Sequence, residues 1–162
     1  MDEEHPGAVD FAVAACRDEG RWELSLLPAE AALRLGTLER ALAQLASEVG
    51  TVGLVSLDDD FFVLLRVSGA HVRILLSDVG AATESPLAMA ILETLDLPVP
   101  DDDDPAQPAG DLSLLHDLGL SAQQLGAMCD DTELYPDEVL ADVADRLGFG
   151  REFEDLLGVV SA

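Results

Sequence analysis

Two arginines, Arg66 and Arg73, and four consecutive aspartates, Asp101–Asp104, have the clearest claim to chemistry in this sequence. The arginines lie in strand-like runs on either side of Ser68-Gly69-Ala70-His71. If Gly69-Ala70 is a two-residue hairpin loop, Arg66 and Arg73 face each other across the ladder, where like charges repel. Something anionic should then lie beside them. It is either a carboxylate of this same acidic chain or a carboxylate brought by a partner. The aspartate run could chelate a hard cation, but calcium loops place their ligands at alternating positions and need a glycine for the turn. Four contiguous aspartates between prolines lack that geometry, so the run reads as a solvated linker. Asp58-Asp59-Asp60 reads as a charged loop for the same reason.

Other reactive types are sparse. None of His5, His71 and His116 has a second His, Cys or acid at metal-ligand spacing. His116-Asp117 falls near a helix C-terminus, which favours a cation in any case. Nucleophile elbows, P-loops and glycine-rich dinucleotide fingerprints are absent. Trp22, the one tryptophan, stands beside Leu24 on a strand and reads as packing. No catalytic residue, metal or cofactor is expected.

The charge balance is the strongest bulk signal. Thirty-three acids stand against eight arginines and no lysine, for a net charge of −25. A phosphate backbone needs a basic stripe, so direct nucleic-acid binding is excluded. Anionic membrane surfaces are excluded likewise. A basic partner protein would be attracted over long range. The same charge would also serve solubility alone. Cys16 and Cys129 share no motif and suit a reducing compartment. The acidic start MDEEHPGAVD is no secretory signal, and no apolar run has bilayer length. A cytoplasmic protein is expected.

The elements that would position these residues follow from periodicity. Residues 9–18 and 21–28 read as strands joined at Glu19-Gly20. Leu35, Leu38, Leu42, Leu45 and Val49 share one face of a helix over 29–49, with Gly50 at its C-terminal cap. Strands follow at 51–57, 61–68 and 71–78. Ser85-Pro86 starts a helix running to about Leu95, with Leu87, Ile91 and Leu95 inward. Residues 98–110 hold four of the eight prolines and the aspartate run. Beyond them, Asp111 can cap a short helix that stops at Gly119. Ser121 and Gln124 form a capping-box pattern stapled by Leu120 and Leu125. Pro136 opens a helix with Val139, Leu140, Val143 and Leu147 inward, and 151–160 forms a last one.

The fold expected is α+β. An antiparallel five-stranded sheet with two helices, in the order ββ-α-βββ-α, is followed by a small all-helical C-terminal module. The divisions are a sheet domain at 1–97, an acidic proline-rich linker at 98–110 and a helical module at 111–162. Some 50 residues fold alone only marginally, so the module should dock on something.

The segment GDLSLLHDLGLSAQQLGAMCDDTELYPDEVLADVADRLGF, the strand FFVLLRVSG, the later RILLSDVGAA and the Asp-rich break together resemble the actinobacterial family of tRNA adenosine deaminase-associated proteins. The resemblance spans about residues 9–157 and carries no catalytic motif. It implies association with the tRNA-modifying deaminase, chiefly as a neighbour. A zinc deaminase needs the pattern H-x-E…P-C-x-x-C. Here the histidines are followed by Pro-Gly, Val-Arg and Asp-Leu, and neither Cys lies in a C-x-x-C. The deamination chemistry would lie in another protein.

The reading is therefore a non-enzymatic acidic accessory protein that binds a basic partner, the tRNA adenosine deaminase first. The residues expected to meet a partner are Asp101, Asp102, Asp103, Asp104, Arg66 and Arg73. The alternatives are a nucleic-acid mimic acting on several basic proteins, and a small anionic-ligand binder using the two arginines as a clamp. A homodimer is also open, through an exposed edge strand or a swapped helical module.

Overall fold

The structure, a computed structural model, describes residues 9–45, 47–57, 60–83, 85–99, 107–131 and 134–161. Asp101–Asp104, Asp58, Asp59 and His5 fall outside the described residues.

The first hairpin joins β1 (Val9–Asp18) to β2 (Arg21–Leu26) through Glu19 and Gly20, both at positive φ. That is the backbone a right-twisted two-residue loop requires. β3 (Thr51–Leu57), β4 (Phe61–Ser68) and β5 (His71–Leu76) form an antiparallel meander. A two-residue strand β6 (Ala109–Gly110) adds to the edge of β5. The sheet order is β2-β1-β3-β4-β5-β6, all antiparallel. The α+β class holds, with six strands in place of the five expected. The sixth lies inside the segment read as linker.

One sheet face is covered by α1 (Ala29–Ala32), α2 (Leu35–Ala43) and α3 (Pro86–Leu95). Leu38, Leu42, Leu87 and Ile91 are buried against Val55, Leu57, Val63 and Leu65. The Ser85 hydroxyl accepts the Ala88 N–H at 3.2 Å, capping α3 as the Ser-Pro pair predicts. The helix expected over 29–49 is shorter and broken. Leu45 is exposed and Val49 only half-buried. The cause is local. Glu48 N–H donates to Arg17 O at 2.8 Å, and the Ser47 hydroxyl accepts from Arg17 N and donates to Gly50 O. These bonds draw residues 47–50 toward the end of β1 and out of the helical path.

The other face is covered by the C-terminal segment: α4 (Ala122–Asp130), α5 (Pro136–Leu147) and α6 (Gly150–Ser161). The Ser121–Gln124 capping box forms in both directions. Val139, Leu140, Val143 and Leu147 turn inward, and Gly148 caps α5 at positive φ. These side chains share one buried cluster with Val13, Val52, Leu54, Phe62, Leu64 and Leu75 of the sheet. The module thus packs on its own sheet. Trp22 closes the seam: its ring lies 4.9 Å from Phe149, and its Nε1–H donates to Leu147 O at 3.1 Å.

Where the chain crosses from the sheet to this layer, Gly110 has φ +116, and a Cβ there would sit 2.2 Å from Ile74 O. Neither the strand carbonyl nor the φ can yield cheaply. Gly110→Ala should therefore lower stability by about 3 kcal/mol or more. The loss should appear in urea unfolding, together with faster amide exchange at Asp111, whose N–H donates to Ile74 O at 2.8 Å. An unchanged midpoint would mean that β6 is not held as described.

Candidate functional site

Register settles where the two arginines lie. Arg66 and Arg73 are cross-strand partners. Alternation puts them on the sheet face that carries the C-terminal helices, together with Ser68 and His71. Across from them run residues 111–118, a turn that leads into a single 3-10 turn, His116–Leu118.

The anions beside the arginines are Asp117 and Asp111. Arg66 is the one charged side chain that is buried among the described residues. Its Nη1 and Nη2 reach the two Asp117 oxygens at 2.6 and 3.0 Å, a two-pronged pair. Two of its other donors go to carbonyls: Nε to Val49 O at 2.8 Å and Nη1 to Leu114 O at 2.9 Å. Arg73 donates from Nε to Asp111 Oδ2 at 2.7 Å and from Nη2 to Ser113 O at 2.9 Å. Asp111 Oδ1 accepts the Ser113 N–H and hydroxyl at 2.9 and 2.6 Å, fixing the turn. The like charges of the hairpin are therefore neutralised by carboxylates of this chain. The two arginines pin the entry of the helical layer to the sheet.

The carboxyls respond to this setting. Asp117 is held below the usual carboxylate range, first by its hydrogen bonds from Arg66, against the opposing effect of partial burial. Burial alone would raise Asp111, but Ser113 and Arg73 outweigh it and the net shift is downward. A carboxyl with a lowered native pKa adds stability above its unfolded value of about 3.9. It loses that stability as pH falls through the native value. Wild type should therefore lose the clamp's contribution only below about pH 4. The Asp111→Asn, Asp117→Asn double variant should show a flatter acid limb. Differences between the two proteins at each pH in denaturant melts isolate the effect. Parallel acid limbs would remove the clamp from the account.

Beyond the end of the helical layer these residues line an open cleft of about 640 Å³, where Arg66, Arg73, Asp117 and Ser68 meet His71 and His116. Sequence reasoning brought the two arginines together but not the histidines or the particular aspartates. The available signals were the hairpin register and the Asp-x-Ser turn at 111–113.

Both cysteines are held toward the protonated thiol. Burial, with Asp130 nearby, pushes the Cys129 thiol up to about 12. Burial also raises Cys16, against a hydrogen bond with Thr51 and with help from Glu23. Among the described residues no group of three His, Cys, Asp or Glu could hold a metal ion. No described helix is long and apolar enough to cross a membrane.

Fold and site together define an α+β protein with a six-stranded antiparallel sheet covered on both faces, locked at one end by paired arginine–aspartate contacts. Residues 10–150 match the family described as Rv3753c-like tRNA adenosine deaminase-associated protein. The chain belongs to that family, which is described by association with a deaminase and not as the deaminase itself. It is 39% identical over 150 residues to Protein Rv3753c of Mycobacterium tuberculosis, covering 91% of this chain and 87% of the relative. No solved structure matches it.

Proposed function

We propose that this chain is a non-enzymatic accessory protein of the cytoplasm that presents an acidic surface to a basic macromolecule. The family description points to the tRNA adenosine deaminase as that partner. The observation that carries the reading is the unbalanced charge and its placement. If all eight arginines each took one of the 33 carboxylates, 25 would remain. No described carboxylate is buried. The outer sides of α5 and α6 are especially acidic, with exposed Asp137, Glu138, Asp145, Glu152, Glu154 and Asp155. A deaminase that receives tRNA needs a positive surface, which is what such a face would meet.

Calorimetric titration of the deaminase with the full chain, at low and moderate salt, tests this. Binding that weakens with salt is expected. The triple variant Asp145→Lys, Glu154→Lys, Asp155→Lys should lower the association rate by about tenfold or more. Absence of binding at low salt would end the proposal. Equal binding to a panel of unrelated basic proteins would instead favour a nucleic-acid mimic.

A further inference from the structure

We propose that the cleft at the end of the β4–β5 hairpin binds a small ligand through an oxyanion, a phosphate or carboxylate group. The site is independent of the acidic helical face.

The cleft has a surplus of donors. Both Asp117 oxygens are taken by Arg66. Arg73 uses Nε and Nη2 on Asp111 and Ser113, which leaves both Nη1 hydrogens without a partner among the described residues. The rings of His71 and His116 and the hydroxyl of Ser68 also line the cleft and have no partner among the described residues. Each imidazole brings at least one N–H. A ligand entering here meets free donors from three side-chain types, and an oxyanion is the group that accepts from all of them.

Charge and rigidity agree. The arginine and aspartate charges cancel locally, so this concave spot lacks the excess of carboxylate found on the outer helices. The distant carboxylates are screened beyond about 8 Å at physiological salt. Arg66 and Arg73 are each held by two or more bonds, so binding need not order them. Val49 and Val72 also line the cleft, and its volume lies within the range of small-molecule sites. An oxyanion carried on a small organic body fits better than a bare ion.

The test uses the isotopically labelled full chain, titrated separately with inorganic phosphate and with acetate at constant pH and ionic strength. Side-chain signals of Arg73, His71 and His116 are followed by NMR. Saturable shifts confined to the cleft are expected. They should weaken about tenfold in the His71→Ala, His116→Ala double variant, in which charge-assisted bonds are lost. Those exposed rings hold nothing in the fold, so the variant should stay folded. Response to phosphate alone assigns a phosphate-bearing ligand; response to acetate alone or to both assigns carboxylate recognition. No saturable shift with either anion, or a double variant that binds like wild type, overturns the site.

Discussion

Replacing Phe149 with alanine should cost about 3–5 kcal/mol, as for other fully buried aromatic side chains. That is a large part of the 5–15 kcal/mol that holds a domain of this kind. The residue is 0% exposed and sits at the joint between α5 and α6. Its N–H donates to Ala144 O and its carbonyl accepts Phe153 N, both at 2.9 Å. The ring lies against Trp22 of the first hairpin, so its loss opens a cavity where both layers meet. Because Trp22 is the single tryptophan, its fluorescence reports this seam alone. Urea unfolding followed by fluorescence and by far-ultraviolet circular dichroism should shift together in the variant. Coincident transitions are expected, because the apolar cluster under the helices includes four sheet strands. A fluorescence change that precedes the loss of secondary structure would mean that residues 111–162 undock as a separate unit. A cost below about 1 kcal/mol would mean that the joint is not packed as described.

Replacing Arg66 with methionine should cost about 2–4 kcal/mol. The stem is retained and only the guanidinium is lost. The paired carboxylate accounts for the smaller share. The Asp117 side chain is 60% exposed, so water takes up its charge once Arg66 is gone. A partly solvated pair of this sort is worth about 1 kcal/mol or less. The larger share comes from Val49 O and Leu114 O, which would lose their donor beside the core. Asp117→Asn should therefore be milder than Arg66→Met. Arg66→Lys should recover little, because an ammonium cannot span two carbonyls and a carboxylate in the guanidinium's plane. Denaturant melts of the three variants and a double-mutant cycle decide the matter. If Asp117→Asn costs as much as Arg66→Met, the ion pair and not the carbonyls holds the joint.

The helix boundaries were legible because they depend on local chemistry. Ser85 and the Ser121–Gln124 pair satisfy backbone groups within one turn, Pro136 takes the first helical position where an N–H would go unpaired, and all act as their spacing predicts. The helix over 29–49 stops short of its leucine periodicity because the bonds that Ser47 and Glu48 share with Arg17 pull the chain away. The second layer had an available sign. β3 and β4, TVGLVSL and FFVLLRVS, are apolar without alternation and buried along nearly their whole length. That pattern marks strands covered on both faces. β6 had no such sign, since two residues carry no periodicity.

From the sequence alone came the α+β class, the hairpin that sets Arg66 against Arg73, the need for a carboxylate beside them, and the excess of negative charge. Each rests on spacing along the chain or on composition, both of which are local or additive. Tertiary structure decided that Asp111 and Asp117 supply those carboxylates, that the helical segment covers its own sheet, and that two histidines join the arginines in one cleft. Those facts depend on how far apart in sequence the meeting groups are. Arg66 and Asp117 are separated by 51 positions, and only packing of the whole core brings them within reach.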